Sequence, residues 1–177
     1  MAQVRIRTLL LQFSVLLLPS MACSQLSGHI DRTYNAMRVE SNITIDGVIE
    51  EPAWDKAEQA GDFLQLEPTE GEKVSQKSTV RLLYDDNNIY VAAMMYDSSP
   101  DSVLQELGNR DEGGNLNADA FKLGLDPYNT RQGGYVFEVT VSGVQTESYN
   151  DDVSFDAVWE SKTQIRNDGW SLEMRIP

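Results

Sequence analysis

Four aromatic side chains in this sequence could stack against a flat ligand: Trp54, Trp159, Trp170 and Tyr128. Each has a large apolar ring face and one polar handle, the pairing used wherever a ligand is half apolar and half wet. Trp54 sits between Ala53 and Ala57, behind Glu50-Glu51-Pro52. Trp159 and Trp170 lie in or beside alternating segments, where an aromatic ring more often fills a core. Tyr128 follows Asp126-Pro127 in a run of turn residues, and loops are where binding groups concentrate.

Acidic residues form the second group able to do chemistry. Asp85, Asp86, Asn87 and Asn88 crowd one turn. Asp111, Glu112, Asn115, Asn117 and Asp119 crowd a long loop that leads toward Asp126, and Asn150, Asp151 and Asp152 crowd a third turn. Oxygen donors of this kind suit a hard cation such as calcium, with Asp85, Asp86, Asp119 and Asp126 as the candidate ligands. None of the clusters follows the twelve-residue calcium loop, and Asp and Asn also form turns on their own account.

Catalysis finds less support. The one histidine, His29, precedes every patterned segment, so no histidine-based triad or zinc cluster can be assembled. There is no glycine-rich phosphate loop. With 28 Asp and Glu residues, some carboxylate pair will always fall at the spacing a glycoside hydrolase needs, so acid count does not select that reading. The formal charge of −14 and pI near 4.3 repel phosphate backbones and exclude nucleic acid as a partner. Neutral ligands and divalent cations remain compatible with such a surface.

The elements that must position these groups read as strands. Val80 to Tyr84 and Ile89 to Tyr96 flank the turn Asp85-Asp86-Asn87-Asn88, and the second of them is apolar on both faces, as a central strand is. Ala120 to Leu125, Tyr135 to Val141, Val144 to Tyr149, Val158 to Ile165 and Trp170 to Ile176 follow, with Gly, Asn and Asp between them. Ile43-Thr44-Ile45 reads as a further short strand, and Glu50 to Ala57 as one or two helical turns with proline near the start. Short strands at regular spacing with almost no helix predict an all-β, antiparallel β-sandwich of the immunoglobulin or jelly-roll kind. Trp170, Leu172, Met174 and Ile176 share one face of the last strand, which stops at Pro177 without a closing polar segment. The sandwich therefore reads as lacking its last strands.

Ahead of these elements, Arg5 and Arg7 precede the apolar run Thr8 to Leu18, and Pro19-Ser20-Met21-Ala22-Cys23-Ser24 supplies small residues. This is the form of an export signal, too short to span a bilayer. The expected organisation is a signal peptide over 1–24, a linker over 25–40 and a sandwich over 41–177. Cleavage after Ser24 and lipid attachment at Cys23, the only cysteine, are the two ways the leader could end.

These segments together resemble the family 9 carbohydrate-binding module-like domain. The resemblance runs through Ile45-Asp46-Gly47 and Glu51-Pro52-Ala53-Trp54. It continues with Val80-Arg81-Leu82-Leu83-Tyr84-Asp85, Ile89-Tyr90-Val91-Ala92-Ala93, Leu125-Asp126-Pro127-Tyr128-Asn129 and Gly134-Tyr135-Val136-Phe137. It ends with Ala157-Val158-Trp159-Glu160 and Gly169 to Pro177, so nearly all of residues 43–177 take part. What it implies is a β-sandwich that binds polysaccharide or oligosaccharide without catalysis, with calcium as a cofactor. The variant it is most similar to opens large outer-membrane proteins, which implies export to the periplasm or outer membrane of a Gram-negative bacterium and a missing C-terminal barrel region. The founding modules hold a sugar between two tryptophans. At the first of those positions this sequence has Leu116 or its neighbour Asn117, and the second lies beyond Pro177. Lys122 and Glu138 stand where the founding modules offer an acid and a base to the sugar hydroxyls, so the charges at these two positions depart from the family's pattern. A protein-interaction role beside a barrel is the alternative implied by the same resemblance.

Overall fold

In the computed structural model, which describes residues 32–177, two β-sheets stack over one apolar interior. β1 (Met37–Arg38), β2 (Ser78–Tyr84), β3 (Ile89–Tyr96), β7 (Glu160–Arg166) and β8 (Gly169–Ile176) form a five-stranded sheet in the order β1-β2-β3-β8-β7. β4 (Ala120–Leu125), β5 (Tyr135–Thr140) and β6 (Gln145–Tyr149) form a three-stranded sheet in that order. All pairings are antiparallel except that of β1 with β2. The antiparallel β-sandwich expected from the turn spacing is the fold observed.

Side-chain alternation decides what each face meets. Val91, Ala93, Trp170, Leu172, Met174 and Ile176 point into the interior against Phe137, Val139 and Trp159. The opposite face of β3 and β8 is equally buried, because residues 39–57 lie across it. Val39, Ile43, Trp54 and Ala57 pack there on Leu83, Tyr90 and Ala92. Helix α1 (Pro52–Lys56), with proline in its first turn, carries Trp54 into this second core. Two covered faces explain why β3 is apolar throughout.

Two expectations change. Ile43-Thr44-Ile45 forms no strand, although Ile43 is buried; its side chain anchors the crossing segment while its backbone runs outside either ladder. The expected linker over 25–40 gives up its end to the domain, since Met37 and Arg38 pair with Leu83 and Tyr84 and Val39 is buried. The expected export signal, Cys23 and His29 lie outside the described residues. Among the described residues no helix is long and apolar enough to cross a membrane.

Turn chemistry holds the strand pairs in register. Asp85 accepts the N–H groups of Asn87 and Asn88, each at 2.7 Å, and the Tyr90 hydroxyl at 2.8 Å. These bonds hold its carboxyl down to about 2. At the start of β8, Gly169 has φ +135°, and a Cβ there would stand 2.0 Å from the Met95 carbonyl oxygen. Gly169→Ala is therefore expected to destabilise the fold by at least about 2 kcal/mol, measured as a lower midpoint in urea unfolding.

Candidate functional site

The outer face of the three-stranded sheet carries the polar groups best placed to meet a ligand. Register puts Lys122 of β4, Glu138 of β5 and Thr146 of β6 side by side. All three fall on the face opposite Phe121, Leu123, Phe137 and Val139, which pack inward. Lys122 Nζ lies 2.7 Å from Glu138 Oε2, with the lysine side chain 61% exposed and the glutamate 8%. One strand position further on, Gly124 leaves the space above it open, for a Cβ there would meet nothing within 4 Å.

Glu138 is buried on an outer face because the loop between β3 and β4 folds over it. The 3-10 turn Gly113–Asn115 sits on β5 and β6, and Gly113 N–H donates to Thr146 Oγ1 at 3.1 Å. A Cβ at Gly113 would come within 2.8 Å of that oxygen and 3.3 Å of Glu138 Oε1, so this approach needs glycine. Leu116 follows the turn, its N–H bonded to the Gly113 carbonyl. Arg110 pins the loop: it donates to Gln145 Oε1 at 2.8 Å, to the Ala157 carbonyl at 2.7 Å and to Glu147. The result is a charged floor with a hydroxyl beside it and a loop wall ending at Leu116. Such a surface can donate to and accept from several hydroxyl groups at once.

A second concavity opens at one end of the sandwich, between the sheets. Its volume is about 570 Å³, and Ile89, Leu125, Tyr135, Phe155, Trp159 and Ile176 are among the residues lining it. Asp126 and Pro127 form part of its rim, and Val158, 90% exposed, stands beside it. Sequence candidates thus separate: Asp126 and Trp159 come to this cleft, while Leu116 belongs to the outer-face loop. Tyr128 extends from the rim loop and is 82% exposed.

Trp159 is not a free stacking platform. It is 5% exposed, its ring edge meets Phe137 at 5.2 Å between centroids, and its indole N–H donates to Glu147 Oε2 at 2.9 Å. Trp54 is tied the same way, its indole N–H donating to Glu173 Oε1 at 3.0 Å. Alternation does not reveal either partner, because Glu147 and Glu173 look like solvent-facing members of their strands until the loop, Trp159 and residues 39–57 close over them.

The four calcium candidates do not form one donor set. Asp85 spends its oxygens on its own turn, Asp86 faces Arg38 at 2.5 Å, and Asp126 accepts the Arg131 N–H at 2.7 Å. Among the described residues no group of three or more His, Cys, Asp or Glu side chains is arranged to hold a metal. Turn bonds thus engage Asp85 and Asp126, and an ion pair engages Asp86.

Comparison with known families decides the relationship. The family model described as carbohydrate family 9 binding domain-like matches residues 45–177. The chain belongs to that family. It is thus a carbohydrate-binding-type module, a non-catalytic class of domain. Among solved structures it is similar to a family 9 carbohydrate-binding module from Caldicellulosiruptor kristjanssonii in complex with glucose. The TM-score is 0.58 at 21% identity, over 82% of this chain and 68% of that one. A family 9 module from the same organism in complex with cellotriose gives a TM-score of 0.57 at 21% identity, over 80% of this chain and 66% of that one. The chain spans about two thirds of those modules. At such identities the likeness shows a shared fold. No curated protein sequence matches the chain.

Proposed function

We propose that this domain binds neutral oligosaccharide or polysaccharide on the outer face of the β4-β5-β6 sheet, as an accessory module of an exported cell-envelope protein. The observation that carries the reading is the Lys122–Glu138 pair, set with Thr146 under the Gly113–Leu116 loop and beside the open space at Gly124. Lysine donates, glutamate accepts and threonine does both, which is the complement a sugar ring requires. The family membership supports the same class of ligand. Leu116 offers an apolar wall where the founding modules present a tryptophan, so affinity here rests more on hydrogen bonds than on ring stacking.

Calorimetric titration of the domain with glucose and cellotriose tests this. Binding is expected to saturate, and Glu138→Gln or Lys122→Ala is expected to weaken it at least about tenfold, since each leaves a buried or ligand-facing polar group without its partner. Unchanged affinity in both variants, with unfolding curves like the parent's, would remove the outer face from consideration.

A second reading has its own observation. The 570 Å³ apolar cleft with exposed Val158 is the kind of surface a polypeptide covers, which favours packing against a further part of an outer-membrane protein. The charge pattern of residues 5–24 supports export to the periplasm or outer membrane. Fractionation of cells expressing the natural gene checks the location, and a cytosolic product would overturn it.

A further inference from the structure

We propose that the groove at the opposite end of the sandwich, where Gln76, Tyr96, Asp97, Asp119 and Trp170 meet, is a second saccharide subsite that takes one neutral hexose unit. It rests on the reading of the domain as a glycan binder and goes beyond it in place and residues.

Residues from the approach to β2, the end of β3, the position before β4 and the start of β8 line a groove of about 250 Å³ there. That is somewhat below the roughly 300–1,000 Å³ of drug-sized ligand sites, which suits a single ring. Trp170 is only 3% exposed, and a buried indole N–H ordinarily finds an acceptor. Trp54 and Trp159 have theirs in Glu173 and Glu147. Among the described residues Trp170 has none, and its nitrogen is not among the fully buried atoms left unpaired. Asp119, in the same groove, is the complementary case: its carboxylate receives no hydrogen bond or ion pair from the described residues.

A donor lacking an acceptor and an acceptor lacking a donor line one groove. A hydroxyl group satisfies both, because it donates and accepts. A cation would answer Asp119 alone, and an anion would answer Trp170 alone while facing a chain of charge −14. Gln76, bonded at 2.9 Å to Ser98 Oγ, adds an amide.

The backbone here is already in place. Tyr96 N–H donates to the Lys77 carbonyl at 2.9 Å and Asp97 N–H to the Asp168 carbonyl at 3.0 Å. Asp119 is held on both sides, its N–H by the Leu104 carbonyl at 2.9 Å and its carbonyl by the Val141 N–H at 2.8 Å. A preorganised groove of this kind binds without the cost of ordering loops. Together with the outer face it gives the domain two contacts on one long glycan, which raises avidity for polymer over short sugars when both are engaged.

Three tryptophans allow a direct test with 15N-labelled domain titrated with glucose and then cellotriose. The Trp170 indole resonance, assigned by its loss in Trp170→Phe, is expected to move and saturate while those of Trp54 and Trp159 stay still. Asp119→Asn is expected to weaken that titration at least tenfold, and Lys122→Ala to leave it unchanged. Movement confined to amides of Lys122, Glu138 and Thr146 would overturn the subsite and leave the outer-face reading standing. Equal movement of all three indoles would mark a global change and overturn it too. Absence of any movement would remove both sites.

Discussion

Replacing Glu173 by alanine is expected to destabilise the domain by about 3–5 kcal/mol, read from urea unfolding at pH 6. Glu173 is fully buried on β8. Its Oε2 accepts the N–H groups of Asp46 and Gly47 at 3.1 and 3.0 Å, and its Oε1 accepts the Trp54 indole N–H. These bonds fasten the crossing segment, and with it the second core of Val39, Ile43, Trp54 and Ala57, to the outside of the five-stranded sheet. Alanine would orphan three donors at once. A core truncation such as Leu172→Ala would cost about 2–5 kcal/mol through its cavity alone, so a single polar group here matches a large apolar one.

The same carboxyl sets a pH dependence. Burial pushes it up to about 7, the Asp46 and Gly47 N–H groups pull it down, and Glu51 adds like charge. Burial wins. A carboxyl whose folded-state pKa is raised contributes stability that is fully present below its unfolded value, near 4.5, and lost as pH rises through about 7. Stability is therefore expected to fall between pH 5 and pH 8. Glu173→Gln, which has no proton to lose, is expected to flatten that decline. A parent protein whose stability is level or rising across this window would contradict the assignment.

Glu147→Ala is the second large effect, again about 3–5 kcal/mol, because it leaves the Arg110 guanidinium and two N–H donors without their acceptor. The Glu147 side chain is fully shielded. It accepts from Ala157 N–H at 3.0 Å, from the Trp159 indole at 2.9 Å and from Arg110. Here the sign reverses. Burial raises the carboxyl, but the Ala157, Trp159 and Arg110 bonds together hold it below the usual range. Its contribution is present above the unfolded value and is lost as pH falls through the lowered one. The gap between parent and Glu147→Ala should shrink in acid, whereas the gap for Glu173→Ala should shrink toward alkaline pH. Parallel pH profiles for the two variants would show that the two carboxyls do not differ in this way. Arg110 also pins the loop over Glu138, so Glu147→Ala should loosen the wall of the outer-face site.

Alternation over Trp170, Leu172, Met174 and Ile176 placed those side chains on one inward face, and the structure has all four in the interior. The apolar run Ile89 to Tyr96 marked a central strand, and β3 is flanked by β2 and β8. Strand period and turn chemistry are local, set by neighbours a few residues away, so they can be read without coordinates. The sandwich and its turns were legible for that reason, and the family through the resemblance of the segments themselves.

Sites depend on which distant segments close over which strands. Glu173 meets Trp54 across 119 positions of chain and Arg110 meets Glu147 across 37, separations over which no periodicity carries information. Tertiary packing alone turned Trp54 and Trp159 from stacking candidates into anchored core residues, kept the four acids proposed for calcium apart, and left Trp170 as the indole without a partner among the described residues. The sequence by itself determined the ladder, because side-chain direction alternates with the backbone. The layers that cover each face of that ladder decided which polar groups are buried, which are paired and which remain open to a ligand.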